Sequence, residues 1–297
     1  MRFLRVWALS GVILLLGLGC QTPAPPPPAV FLAQAERLHD GALMTTVVLD
    51  ADLTDYLQLV GDRVAEAAHQ VAPDKINDAF ARSIRCQLVN CDVINAFSAG
   101  GMHVYVTTGL FRECQSEEQL AAAIAHAYAH LVNLDLEATK MKPDETGPLS
   151  MVAWNYVANR FSLEQEKQAD ALAQRIYLRG GWDPGKFSTL FEHLESHSGA
   201  LVAPDRLPLP VRVAVLEDSL IGLSRPGRKL PVADPKTFVS LRDRSSSIHE
   251  TTAPMVPELF LKAFPNCILS GDTPEQREAQ ERLRPVLPGP VQKLEPN

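Results

Sequence analysis

Ser116-Glu-Glu-Gln-Leu-Ala-Ala-Ala-Ile-Ala-His-Ala-Tyr-Ala-His130 is the stretch whose reading decides the fold. Ser116-Glu-Glu-Gln119 has the form of a capping box, and the leucine, alanines and isoleucine behind it favour helix strongly, so His126 and His130 lie inside a helix. Residues four apart share one helix face, and two imidazoles placed in this way can grip one metal ion. In the His-Glu-x-x-His arrangement the residue after the first histidine is a glutamate, which acts as general base on metal-bound water. Here Ala127 holds that place, and a methyl group cannot move a proton.

Further along the chain, Ser162-Leu-Glu-Gln165 is a second capping-box pattern. It opens a predicted helix through about Arg179 that stops at Gly180-Gly181, after which Asp183-Pro184 reads as the cap and first position of another helix. Glu166 and Asp170 share one face of the helix from 163. Glu166 can complete a His₂Glu site, and Asp170 can orient a ligand histidine through its other ring nitrogen. Upstream, Leu53, Leu57, Val60 and Val64 recur at helical spacing over 52–69, with Asp52 as a candidate cap. Between them, 84–108 turns β-like, in three short runs at Cys86 to Val89, Val93 to Phe97 and Val104 to Thr107, broken by Gly100-Gly101. This predicts a small antiparallel sheet. Alternation along His103-Val104-Tyr105-Val106 turns the valines to the core and the histidine and tyrosine outward.

Spacing alone does not make a site. His193-Leu-Glu-Ser-His197 has the same interval, yet nothing around it offers a third ligand, and it reads as a solvent-facing helix stripe. Tyr128 lies about 200° around the helix from His126 and is expected to pack into the core. Glu164 and Glu137 are carboxylates that could stand in for the missing glutamate, but neither stands beside the first histidine.

In kind and order, Asn95-Ala-Phe97, Gly100-Gly101, His103 to Leu110, His126 to His130, Glu166-Lys-Gln-Ala-Asp170 and Gly181-Trp-Asp-Pro184 resemble the CAAX-prenyl-protease and HtpX-like zinc metallopeptidases, especially their soluble exported branch. The likeness covers roughly residues 50–222. It implies an α+β, zincin-like (gluzincin) helical domain, one zinc ion per chain on His126, His130 and Glu166, and Asp170 behind them. It also implies that the strand of His103, Val104, Tyr105 and Val106 is an edge that receives extended polypeptide by backbone pairing. The departures are Ala127 for the catalytic glutamate, Leu163 for an arginine, and Gln168 for the second glutamate of the Glu-x-Glu-Ala-Asp motif. At 206–212, Arg-Leu-Pro-Leu-Pro-Val-Arg replaces a His-Pro. Ligands survive while groups useful for hydrolysis do not, which is the pattern of a pseudopeptidase; an active endopeptidase of envelope quality control is the alternative.

The rest of the chain says where such a domain would work. Of 297 residues, 28 are Lys or Arg and 35 Asp or Glu, a formal charge of −7 with scattered basic groups, which gives no footprint for nucleic acid. Residues 1–19 read as a signal peptide, with Arg2 and Arg5 before an apolar stretch too short to span a bilayer comfortably. Leu16-Gly-Leu-Gly-Cys20 resembles a lipoprotein processing box that makes Cys20 a lipid anchor, and Gln21 resembles the outer-membrane sorting pattern; plain cleavage of a secreted protein is the alternative. Of 23 prolines, five lie in 23–28 and eleven after 222. The domain boundaries expected are therefore 1–19 signal, 20–30 lipidated cysteine and tether, 31–222 metallopeptidase-like domain, and 223–297 a proline-rich extension, wrapped on the domain or without fixed structure. Cys86, Cys91, Cys114 and Cys267 allow three disulfide pairings or free buried thiols.

Overall fold

The computed structural model describes residues 47–90, 94–98, 101–135, 161–197 and 234–251, together with 32, 33, 35, 36, 39, 40 and 214. Helix α1 (Ala51–Val71) starts at Asp50, whose carboxylate accepts the Leu53 N–H at 3.1 Å. The cap is therefore Asp50 and not Asp52, because an N-cap must precede the first helical residue to reach the free N–H groups of the first turn. Its buried face is the predicted stripe of Leu53, Leu57, Val60 and Val64. A Cβ at Gly61 would lie 2.3 Å from Cys86 Sγ, so the glycine lets the helix approach the sheet.

After α2 (Asp78–Ser83) come three strands, β1 (Arg85–Val89), β2 (Ala96–Ser98) and β3 (His103–Thr107). The sheet is mixed, with order β1-β3-β2; β2 and β3 are antiparallel, but β1 runs parallel to β3. The α+β fold stands; the all-antiparallel sheet does not, since local sequence marks the reversal at Gly101 and not which strand takes the middle. β3 is consequently central rather than an edge, and all five of its residues are buried. His103 and Tyr105 do turn away from the valines, but Glu36 and His39 cover them: His103 Nε2 lies 3.3 Å from Glu36, and His39 Nδ1 lies 3.0 Å from the Tyr105 hydroxyl.

Helix α3 (Thr108–Glu113) leads into α4 (Glu117–Asn133), which packs most closely against α5 (Leu163–Arg179) and also touches α1 and β2. Its alanines are buried on every side, which lets the neighbouring helices and the sheet approach closely. Ser116 begins α4 without a side-chain cap bond; Gln119 reaches one residue too far and accepts the Gln115 N–H at 2.7 Å. The Ser162/Gln165 capping box of α5 is complete. α5 ends at Gly180, Gly181 turns the chain at φ 83°, and Asp183 caps a 3₁₀ turn (Pro184–Lys186) before α6 (Thr189–His197).

Within the extension read from sequence as weakly periodic, α7 (Pro235–Thr251) packs on α3 and α1. Phe238 enters an aromatic group with Tyr56 and Phe111, and Arg244 pairs with Asp50 and Asp52. Cys86 and Cys114 are buried free thiols, and burial pushes Cys86 up to about 12. Cys20, Cys91, Cys267, Glu137 and 206–212 lie outside the described residues, as do Leu259 to Leu269 and the short helix expected near 274–284.

Candidate metal centre

His126 and His130 project from α4 toward α5, where Glu166 meets them; one ligand atom from each of the three residues falls within 4.8 Å of the others. The two Nε2 atoms are 3.2 Å apart, and Glu166 oxygens lie 3.5 Å from that of His126 and 3.8 Å from that of His130. Zinc bonds of about 2.0–2.1 Å in a tetrahedron set neighbouring ligand atoms about 3.4 Å apart, so this donor set fits the ion expected from sequence. His126 remains 18% exposed at its side chain and Glu166 11%, so the group opens to one side.

Each ligand ring is held from behind. Asp170 Oδ1 lies 2.8 Å from His126 Nδ1, as the sequence predicts. Asp135 Oδ2 lies 2.7 Å from His130 Nδ1, a partner that sequence reasoning missed. It gets there because α4 ends in a left-handed residue, Leu134 (φ 56°, ψ 37°), which folds the chain back beneath its own last turn. With both Nδ1–H groups donated to carboxylates, the Nε2 lone pairs of the neutral rings point inward. Burial lowers the pKa of His126 against the opposing pull of Asp170. Burial would lower His130 too, but its hydrogen bonds to Asp135 and Glu166 outweigh it and raise the pKa.

Aromatic rings line the site: Phe161 stacks on His130 at 4.0 Å and Phe191 stands edge-on 6.4 Å from His126. Ala127 is buried at 1% exposure. Glu164 is exposed and accepts a hydrogen bond from Gln168 at 3.0 Å, turned to solvent. Tyr128 is buried in the core as expected. His193 is not solvent-facing: only 13% exposed, it lies 3.4 Å from Glu113, because α6 packs back on the α3–α4 connection.

Residues 54–144 match peptidase family M48. The chain is also similar to the Beta-barrel assembly-enhancing protease of Yersinia pestis, 24% identical over 194 residues, covering 55% of this chain and 38% of that protein. The protein of the same name from Escherichia coli (strain K12) is 25% identical over 173 residues, covering 50% and 34%. The chain thus spans about a third of the length of the curated relatives it matches.

Proposed function

We propose that this M48-like chain, in which His126, His130 and Glu166 converge, is an exported envelope lipoprotein that binds one zinc ion and extended polypeptide without efficient hydrolysis. The observation that carries this reading is Ala127, buried beside His126 where a general base would stand. The carboxylates that the described residues bring to the histidines have other work: Glu166 is the third ligand, and Asp170 and Asp135 hold ring nitrogens. A bound zinc ion would acidify water and polarise a carbonyl. The chain's own groups orient the ligand rings and supply no base beside them. A general base is worth about 10² to 10⁴ in rate, so trace cleavage at most is expected.

The polypeptide reading needs an accessible strand, and β3 is ruled out by its central place. β2 is the outer strand beside α4, which supports Ala96–Ser98 as the segment that would pair with an extended chain. The name of these relatives, a protease that enhances β-barrel assembly, supports both an envelope setting and the second reading, an active endopeptidase in envelope quality control. Among the described residues no helix is long and apolar enough to cross a membrane, and the anchor proposed is Cys20. Palmitate labelling lost in Cys20→Ser supports the anchor, and equal labelling removes it.

Turnover of an unfolded protein substrate tests the central claim. Wild type should show none above His126→Ala, and Ala127→Glu should gain activity by up to about 10² to 10⁴. Chelator-sensitive cleavage by wild type, absent in His126→Ala, would replace the pseudopeptidase reading with the endopeptidase one.

A further inference from the structure

A second group of titratable side chains lies outside the metal centre, on the other face of the sheet. Val104 and Val106 belong to the main core, so His103 and Tyr105, alternating with them, face the opposite way. Ala35, Glu36 and His39 close over that face. Ala35 is buried against the hairpin turn so tightly that a Cβ at Gly101 would lie 2.5 Å from its own Cβ. The imidazoles of His39 and His103 are stacked at 4.0 Å with their planes 9° apart. His39 Nδ1 lies 3.0 Å from the Tyr105 hydroxyl, and His103 lies 2.9 Å from Gln87 Nε2 and 3.3 Å from Glu36. Phe97 of β2 completes the group, 5.1 Å from the Tyr105 ring.

We propose that the segment carrying Ala35, Glu36 and His39 docks on the sheet through a proton-controlled clasp: the stacked His39–His103 pair holds the segment near neutral pH and releases it in mild acid. Release would uncover Phe97, His103 and Tyr105 beside β2.

Glu36 sits where it accepts a proton-bearing Nε2 of His103, and the Tyr105 hydroxyl can donate to Nδ1 of a neutral His39. Burial raises the Tyr105 pKa, with Glu36 and Asp40 adding to it, so this hydroxyl keeps its proton. A proton added at His39 Nδ1 would cost that ring the Tyr105 donor and press a part-buried cation against the face of His103. The charged groups around the pair are Glu36 and Asp40 on the segment and Arg85, the register partner of His103 on β1. Arg85 turns its guanidinium to the Arg82 and Ile84 carbonyls. Burial, then His103, lowers the His39 pKa from its ordinary 6.5, while Asp40 and Glu36 oppose them. The docked segment therefore takes up a proton less readily than the free one, so docking is at full strength above about pH 6.5 and weakens as pH falls through it. One such proton bounds the loss at about tenfold between about pH 7.5 and about pH 5.5.

Hydrogen exchange of the full chain, read in peptides covering 32–40 and 51–71 and corrected for intrinsic pH effects, tests this. Wild-type protection at 32–40 should fall toward that tenfold limit while 51–71 is unchanged, and His39→Phe, which keeps a ring in the stack without a titrating proton, should show no fall. Constant wild-type protection, an equal fall in both peptides, or the same fall in His39→Phe would overturn the clasp. His39→Gln carries the same comparison if the phenylalanine variant does not fold.

Discussion

The two ends of α4 each bury a polar cluster, and the clusters are built on opposite plans. At the N-terminal end, Glu117 accepts the Tyr56 hydroxyl at 3.2 Å and the Trp182 indole N–H at 3.1 Å, and faces Arg63 at 3.5 Å. Arg63 in turn lies 4.1 Å over the Trp182 ring and donates to the Gly180 carbonyl at 2.7 Å. That carboxylate is met by donors and a cation from the chain itself. At the other end the polarity is reversed: Asp170 and Asp135 take the Nδ1–H groups, and two Nε2 atoms and the Glu166 carboxylate converge as acceptors. A cluster that balances its own donors ties α1, α4 and the Gly180 turn together. A cluster that aims lone pairs at one point calls for a cation from outside.

The comparison breaks first at the N-terminal end. Glu117→Ala should cost about 3 kcal/mol or more, because it removes the buried acceptor shared by the Tyr56 hydroxyl, the Trp182 indole N–H and Arg63. Urea unfolding measures it, and a loss under about 1 kcal/mol would mean that the cluster is incidental to stability.

At the metal end the large effect should come from the ion and not from the chain. Zinc at a hundredfold above its dissociation constant stabilises by about 2.7 kcal/mol, or roughly 5–10 °C in melting temperature. Chelator should remove that increment from wild type and leave a His126→Ala/His130→Ala double variant unmoved. Identical melting in all four conditions would show that no ion is held. Asp170→Ala and Asp135→Ala sharpen the point, since each should weaken zinc binding by about 10- to 100-fold by freeing a ligand ring. Unchanged affinity in both would deny the carboxylates their orienting role.

How much of this could be read from the residues alone depended on how local the information was. The ligand histidines, Glu166 and Asp170 were legible because each pair sits at helical spacing on its own helix, and the Ser162 box fixed where the second helix begins. The helix at the extension was legible in principle: Phe238, Leu241, Ser245, Ile248 and His249 form one stripe behind an Asp234-Pro235 start, but the serines within it dilute its apolar signal. The sheet order was not legible. Alternation marks two faces for β3, and only the packing of Ala35, Glu36 and His39 on the far face makes both of them interior. Asp135 was hidden for a related reason: it lies beyond the end of α4, and what brings it to His130 is a backbone conformation that leucine rarely adopts.

That conformation offers the smallest test. A left-handed residue with a side chain costs roughly 1–2 kcal/mol, which glycine escapes, while glycine adds about 0.4–1 kcal/mol of unfolded-chain entropy to be lost. Leu134→Gly should therefore change stability by about 1 kcal/mol or less, on the favourable side. Leu134→Val should destabilise, since a β-branched side chain suits this region still less. If Leu134 matters only as the turn that delivers Asp135, Leu134→Gly will also bind zinc as tightly as wild type, although it has lost a whole side chain directly after the last residue of the ligand helix. Weakened zinc binding in that variant, with Asp135 intact, would mean that the side chain at 134 itself supports the metal end, and that the turn alone does not.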